Sequence, residues 1–190
     1  MNILLCGCGA IGSWMGLFLA SSRDSLRLID DDTVGEENIS TSAYNRRSIG
    51  SPKASSLSRM MYEKSGAKSW PHTHTLDSSY LSSILADVNT DLVIDTFDNI
   101  ASRSLLCSLP IPTVHVGVSG PHQGAIVWDN TYTLPDGLPR GEDTFCTHMA
   151  GKSILRHVAS QACVIVDHWV RTGEQKSLVV GLFGTVEWRD

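Results

Sequence analysis

The fold is decided by a stretch close to the amino terminus, Leu4-Leu5-Cys6-Gly7-Cys8-Gly9-Ala10-Ile11-Gly12-Ser13. An apolar run from Ile3 to Cys6 is long enough for a buried strand, the glycines have the spacing G-x-G-x-x-G, and an apolar segment with helical spacing runs from Ile11 to Leu19. Glycines let a backbone turn tightly and approach a phosphate closely, and a helix start offers free N–H groups to an anion. The stretch therefore predicts a nucleotide-binding strand, glycine turn and helix.

The second predicted strand ends in acid. The strand candidate Leu26-Arg27-Leu28-Ile29 is apolar at three of its four positions. It is followed by an acid-rich loop from Asp30 to Asn38, which includes Asp32. A carboxylate at the tip of this strand lies where a nucleotide ribose hydroxyl binds in dinucleotide folds. We therefore expect the loop to face the glycine turn and to hold a ribose or a cation. The alternative is a turn that only packs a helix on a strand.

The composition of the 190-residue chain narrows the class of protein. With 42% apolar residues it can bury a core, and we expect a single domain over residues 1–190. The net charge of −5 and the lack of a basic run argue against a nucleic-acid surface. No stretch reaches the roughly 20 apolar residues of a membrane span, and we expect no signal peptide. Five irregularly spaced cysteines predict free thiols in the cytoplasm and no zinc site.

A helix is predicted to begin at Ser51-Pro52-Lys53, with Ser51 as the N-cap and Pro52 in the first helical position. Lys53 then lies in the first turn, where the helix dipole disfavours a cation. Contact with a phosphate would explain its position there. The alternative is an ordinary surface lysine whose stem covers apolar residues.

A third predicted strand, Leu92-Val93-Ile94-Asp95, runs into the polar sequence Thr96-Phe97-Asp98-Asn99. Because the carboxyl ends of parallel strands meet at one edge of a sheet, Asp98 and Asn99 are expected on the same edge as Gly9 and Asp30. Asn99 is also a suitable N-cap for the helix that follows.

The rest of the chain alternates short strands and helices. The predicted elements are a weak strand over Ser69–Thr75, a helix capped by Asp77, a strand over 113–118, an antiparallel strand over 124–128, a helix over 149–171 and two short strands within 178–188. Residues 129–145 form a long loop rich in Pro and Gly, which is typical of a lid. Cys146 follows this loop near a helix start, where a thiol can become nucleophilic. His115 is more typical of a satisfied, half-buried side chain than of a catalyst.

Taken in order, these motifs resemble the ThiF/MoeB family, the adenylating fold of ubiquitin-activating enzymes. The resemblance covers nearly the whole chain. Its matching segments are Gly7–Gly12, Ile29–Val34, Asn38, Gly50–Lys53, Asp95–Asn99 with Arg103, and the Cys146 segment with its long helix containing Ser160-Gln161-Ala162. The resemblance implies a Rossmann-like, doubly wound α/β fold with a mainly parallel sheet and antiparallel strands near the C-terminus.

The resemblance also implies a function. The family members are ATP-dependent adenylyltransferases that activate the C-terminal carboxylate of a ubiquitin-like or sulfur-carrier protein, or of a peptide, as an acyl adenylate. By resemblance, Lys53 neutralises the phosphates, Asp98 holds Mg²⁺, Asp30 binds the ribose, Asn38 positions the phosphates, and Gly7, Gly9, Ala10, Ile11, Gly12, Asp32 and Asn99 line the ATP site. Cys146 matches a cysteine that some relatives link covalently to the carrier, and residues 129–145 match the segment that guides its tail. We expect a homodimer, also by resemblance.

Three features depart from the family pattern. Thr41 stands where the family has an arginine, and we hypothesise that Arg46 or Arg47 reaches into the site instead. The zinc-binding cysteine pairs and the N-terminal helices of many relatives have no counterpart in this sequence. These departures keep open a non-catalytic scaffold, or the inactive half of a heterodimer. The glycine turn and Asp30 alone would also suit an NAD-dependent oxidoreductase.

Overall fold

A computed structural model of the chain describes residues 1–20, 25–129, 132–133 and 149–187. The strands in this part are β1 (Asn2–Cys6), β2 (Ser25–Ile29), β3 (Ser69–His72), β4 (Leu92–Asp95), β5 (Thr113–Val118), β6 (Gln123–Trp128), β7 (Leu178–Gly181) and β8 (Gly184–Glu187). The helices are α1 (Gly12–Leu19), α2 (Lys53–Ser65), α3 (Ser78–Asp87), α4 (Ile100–Leu106) and α5 (Met149–Thr172), with short 3₁₀ helices at Glu36–Ser40 and Arg46–Ser48.

The strands form one sheet in the order β3-β2-β1-β4-β5-β6-β7-β8. The first five in this order are parallel, and β6, β7 and β8 are added antiparallel. The predicted doubly wound α/β fold is therefore confirmed, including its late antiparallel strands. The strand order reverses between β1 and β4, and ligands of open α/β sheets bind at such a reversal.

Each face of the sheet has its own apolar core. The larger core takes Leu5 of β1 together with residues of α1, α2 and α5, such as Met15, Leu57 and Val158. The smaller core takes Leu4 of β1 with residues of α3 and α4. Neighbouring residues of one strand point to opposite faces, so the apolar run of β1 is explained by helices on both sides.

Two predicted boundaries were wrong by a few residues. Helix α2 begins at Lys53 with Pro52 as its N-cap, because Pro52 forms a β-bridge with Thr33 and is held in an extended conformation; Ser51 does not cap the helix. Strand β3 ends at His72 on the sheet edge. Its Pro71 has no N–H to donate, which restricts such a residue to edge strands.

The local capping predictions were more accurate. Asp77 accepts a hydrogen bond from the Tyr80 N–H at the start of α3. Asn99 accepts one from the Ser102 N–H at the start of α4. None of the helices in the described part of the chain combines the length and apolar character of a membrane span.

Candidate functional site

The glycine turn lies at the carboxyl end of β1, beside the loop that follows β4. Gly7 has a φ of +88°, which favours glycine, and its N–H donates to the Ile29 carbonyl at 2.9 Å. The Thr96 hydroxyl donates to the Gly7 carbonyl at 2.8 Å and would lie 2.9 Å from a Cβ at Gly7. A Cβ at Gly12 would overlap the Gly7 carbonyl. Two glycines are therefore required by close packing inside the protein.

The middle glycine of the motif has a different environment. A Cβ at Gly9 would meet no atom within 4 Å, so it would project into open space above the turn. The packing of the protein therefore does not require a glycine at this position. The open space is compatible with the prediction that a ligand approaches the backbone closely at Gly9, which stays a prediction.

Asp30 fastens the glycine turn to the acidic loop. Its carboxylate is only 5% exposed and accepts the Cys8 N–H at 2.6 Å and the Asp32 N–H at 2.9 Å. Burial raises the pKa of Asp30, although these two hydrogen bonds and the charge of Lys53 oppose the shift. Each carboxylate oxygen keeps a second lone pair, so contact with a ribose stays compatible with the structural role.

Lys53 places a nearly buried ammonium group beside Asp32 in the candidate site. Its side chain is 11% exposed, and its ammonium donates to Oδ2 of Asp32 at 2.7 Å. Burial disfavours the charged amine, but the hydrogen bond to Asp32 and the charges of Asp30, Asp32 and Asp98 together raise the pKa of Lys53. Lys53 is therefore protonated and held among three carboxylates. The surface-lysine alternative does not describe it.

Asp98 and Asn99 lie on the loop between β4 and α4, as predicted. Asp98 is exposed, and within the described residues its carboxylate has no hydrogen-bond or ion-pair partner. Asn99 uses its side-chain oxygen to cap α4 at 2.8 Å. No cluster of three or more His, Cys, Asp or Glu side chains suited to a metal ion occurs in the described ranges.

Asn38, Thr41, Arg46 and Arg47, the residues around the position where the family has an arginine, contact partners other than Lys53. The Asn38 side chain accepts the Gly35 N–H at 2.8 Å and so shapes its own loop. Thr41 is 7% exposed, and its carbonyl accepts the Trp14 indole N–H at 3.1 Å. Arg46 and Arg47 are exposed on a 3₁₀ helix, and the Arg46 guanidinium lies 3.8 Å from Glu36.

Sequence reasoning missed one residue that organises the site. Tyr44 is 3% exposed, and its hydroxyl lies 2.7 Å from the Cys8 carbonyl and 3.0 Å from the Lys53 carbonyl. It joins the glycine turn to the first residue of α2. No local pattern marks such a tyrosine. Cys146 and most of the loop over residues 129–145 lie outside the described residues.

The sequence of this chain matches a known family. The sequence profile of the ThiF family matches residues 1–131. The chain belongs to the ThiF family. The resemblance inferred from the motifs is therefore confirmed.

Two curated ThiF relatives carry the name adenylyltransferase and sulfurtransferase MOCS3. The protein from Dictyostelium discoideum is 31% identical over 136 residues, which are 70% of this chain and 31% of the relative. The protein from Caenorhabditis briggsae is 28% identical over 135 residues, 70% of this chain and 32% of the relative. The chain thus spans about a third of the length of these relatives.

Solved structures show the same fold. Escherichia coli MccB with ATP has a TM-score of 0.71 and 13% identity, over 99% of this chain and 62% of MccB. The E. coli tRNA N6-threonylcarbamoyladenosine dehydratase TcdA has a TM-score of 0.57 and 22% identity, over 63% of this chain and 53% of TcdA. At these identities the likeness concerns the fold alone. The single domain over residues 1–190 stays a prediction.

Proposed function

We propose that this ThiF-family chain is an ATP-dependent adenylyltransferase that activates the C-terminal carboxylate of a ubiquitin-like or sulfur-carrier protein, or of a peptide. One observation carries the proposal: a buried, protonated Lys53 lies among Asp30, Asp32 and Asp98, at the sheet edge that also carries the bare backbone of Gly9. An NAD-dependent oxidoreductase would leave Lys53 and Asp98 without a shared role, whereas transfer of an adenylyl group gives both a role at the phosphates.

In the proposed reaction, an oxygen of the substrate carboxylate attacks the α-phosphorus of ATP. A new carboxyl oxygen–phosphorus bond forms while the bond between the α-phosphorus and the bridging oxygen of pyrophosphate breaks. The electron pair leaves with pyrophosphate, and an acyl adenylate remains. Negative charge builds up on phosphate oxygens in the transition state, and preorganised cations stabilise it. Lys53 would leave Asp32, with which it pairs at 2.7 Å, and contact the phosphates.

The carboxylates have separate roles in this proposal. Asp98 would hold Mg²⁺, because its exposed carboxylate has no partner in the described part of the chain. Mg²⁺ is usually bound by one or two carboxylates together with substrate phosphates, so a single free aspartate fits. Asp30 would accept a ribose hydroxyl on its second lone pairs, and Asn38 and Asn99 would border the phosphates.

The protein substrate and the assembly are inferred from relatives. The name MOCS3 describes both an adenylyltransferase and a sulfurtransferase, and the chain covers 31% of that relative. We propose a carrier tail that runs beside residues 129–145, and a homodimer. A covalent link through Cys146 and a contribution of Arg46 or Arg47 to the phosphate site stay predictions.

The experiment is a calorimetric titration of Mg·ATP and of NAD into the wild type and two lysine variants. Lys53→Ala should weaken Mg·ATP binding about 10- to 100-fold, since a hydrogen bond to a charged group contributes about 1.5–3 kcal/mol. Lys64→Ala is the matched control, because Lys64 is an exposed residue in the last turn of the same helix. Equal ATP affinity in both variants would rule out the proposed role of Lys53.

The same titration separates the alternatives. NAD binding that is indifferent to Lys53 would indicate an oxidoreductase. The specific observation in favour of a scaffold is Thr41, which lacks the positive charge of the family arginine. ATP binding without pyrophosphate exchange, in the presence of candidate carrier proteins ending in Gly-Gly, would support the scaffold. Pyrophosphate exchange that is lost in Arg46→Ala or Arg47→Ala would identify the replacing cation.

A further inference from the structure

A buried group of charges lies behind the loop that carries Asp98. The Nδ1 atom of His115 on β5 lies 2.7 Å from Oδ2 of Asp95, the last residue of β4. Its Nε2 atom lies 2.9 Å from Oδ1 of Asp129, which follows β6. Asp95 and His115 are at most 1% exposed. The sequence predicted a half-buried histidine, but the structure buries it fully and engages both ring nitrogens.

This geometry favours the protonated form of the ring. Each carboxylate accepts a backbone N–H with its other oxygen, Asp95 from Phe97 at 3.0 Å and Asp129 from Thr113 at 2.6 Å. The imidazolium carries an N–H on each ring nitrogen and so satisfies both carboxylate oxygens, whereas a neutral ring donates to only one of them. Burial disfavours the charged ring, but the hydrogen bonds to Asp129 and Asp95 outweigh it and raise the pKa of His115.

In the described part of the chain, the charged groups around His115 are equal in number and opposite in sign once the ring is protonated. The charged and titratable groups that form this cluster with the ring are Asp95 on β4, Asp129 after β6, Arg103 on α4, Cys107 at the end of α4, and Tyr132. Burial raises the pKa of the Cys107 thiol, so Cys107 is neutral. Burial likewise raises the pKa of the Tyr132 hydroxyl. Among the described residues, two carboxylates therefore face Arg103 and the protonated His115, and deprotonation of His115 would leave one negative charge in excess.

Two residues of this cluster, Asp95 and Arg103, hydrogen-bond to the backbone of Phe97, which immediately precedes Asp98. Asp95 accepts the Phe97 N–H at 3.0 Å, and Nε of Arg103 donates to the Phe97 carbonyl at 2.6 Å. Arg103 is itself held, because its guanidinium donates to the Val116 carbonyl at 3.1 Å and to the Tyr132 hydroxyl at 2.8 Å. Both polar backbone groups of Phe97 are thus fixed by charged side chains.

Tyr132 covers the histidine. Its ring stacks on His115 with centroids 3.8 Å apart and an interplanar angle of 9°. The stacked phenol covers one face of the His115 ring, and its hydroxyl accepts a hydrogen bond from Arg103. The loop that Phe97 belongs to packs directly on the glycine turn, since Thr96 bonds to the carbonyls of Cys6 and Gly7.

We propose that His115 is a positioning residue of the nucleotide site: it fixes Asp95, Asp95 fixes the Phe97 backbone, and Phe97 sets the place of Asp98 against the glycine turn. The inference rests on the proposed function for the role of Asp98, and on geometry alone for the chain from His115 to Phe97. His115 touches no substrate in this scheme. It acts through the loop.

The geometric part is tested without any nucleotide. In the ¹⁵N-labelled wild type at pH 6, below the ordinary pKa of histidine, both ring nitrogens of His115 should carry protons, and a neutral tautomer would overturn the inference. In His115→Gln, whose donors sit on one amide nitrogen and not on two separate ring nitrogens, amide exchange at Phe97 should accelerate by at least about tenfold. His122→Gln is the control, because His122 is exposed between β5 and β6. An unchanged exchange rate at Phe97 would also overturn the inference.

The link to Asp98 is tested by a double-mutant cycle on Mg·ATP affinity. His115→Gln should weaken binding about 10- to 100-fold, the usual effect of removing a group that orients a metal ligand. In an Asp98→Asn background the same change should have almost no further effect. An undiminished effect there would show that His115 does not act through Asp98. A wild type that binds no Mg·ATP would refute the proposed function and this link, whereas the Phe97 exchange would still decide the geometric part.

Discussion

Replacing Tyr44 with phenylalanine gives the most direct test of how the site is assembled. The Tyr44 hydroxyl lies 2.7 Å from the Cys8 carbonyl in the glycine turn and 3.0 Å from the Lys53 carbonyl at the start of α2. All three residues are at least nine-tenths buried. Tyr44→Phe removes the donor, leaves the ring in place and leaves the two carbonyls without this partner.

The expected cost follows from that burial. Removing one partner of a buried hydrogen bond costs about 1–3 kcal/mol. For a chain of this size each kcal/mol lowers the melting temperature by about 2–4 °C, so Tyr44→Phe should melt about 2–12 °C below the wild type. The variant should also bind Mg·ATP more weakly, because the Tyr44 hydroxyl no longer connects the glycine turn to the backbone of Lys53.

Urea unfolding, thermal melting and ATP titration measure these effects. Tyr62→Phe is the matched control, since Tyr62 is 62% exposed on α2 and its hydroxyl is free to bond with water. We expect the control to lie within about 0.5 kcal/mol of the wild type. If Tyr44→Phe and Tyr62→Phe are equally stable and bind ATP equally well, Tyr44 does not organise the site.

Three further predictions concern the turn, a helix cap and the buried histidine. Gly12→Ala should destabilise the protein because its Cβ would overlap backbone, whereas Gly9→Ala should fold normally and bind ATP less well; the opposite order in melting and titration would contradict this. Asn99→Ala should cost about 1 kcal/mol and weaken ATP binding, whereas Asp77→Ala should lower the melting temperature only, since its helix lies outside the site. Because the fold raises the pKa of His115, the protonated ring stabilises the fold fully below pH 6.5, the ordinary pKa of histidine, and this contribution is lost as the pH rises through the folded pKa. The difference in free energy of unfolding between the wild type and His115→Gln, measured in urea, should therefore decline with rising pH, and a difference that does not change with pH would refute this.

Much of the site could be predicted from the sequence because its signals are local. The glycine spacing, the strand that ends in Asp30 and the cap at Asn99 each depend on residues a few positions apart. Such patterns report backbone conformation directly, since a turn or a cap is made by neighbours in the chain. The parallel sheet then brings the strand ends to one edge, which is why Asp98 and Asn99 were expected on the same edge as Gly9 and Asp30.

Local reasoning was wrong where a distant contact decided the outcome. The spacing favoured Ser51 as the cap of α2, but the bridge between Thr33 and Pro52 holds Pro52 extended, and the helix begins one residue later. The pattern around His115 indicated a half-buried residue. Its two carboxylate partners lie 20 and 14 positions away in the chain, so no window around the histidine contains the information.

The sequence by itself determined the doubly wound fold, the glycine turn and the residue types at the strand ends. Only the tertiary structure decided the partners of those residues. Tyr44 contacts the carbonyl of Cys8, 36 positions before it, and that of Lys53, and Asp95 contacts both His115 and the Phe97 backbone. The physical reason is that hydrogen-bond partners of buried groups are set by which strands become neighbours. Strand order depends on how the whole chain buries its two apolar faces, and no short pattern encodes it.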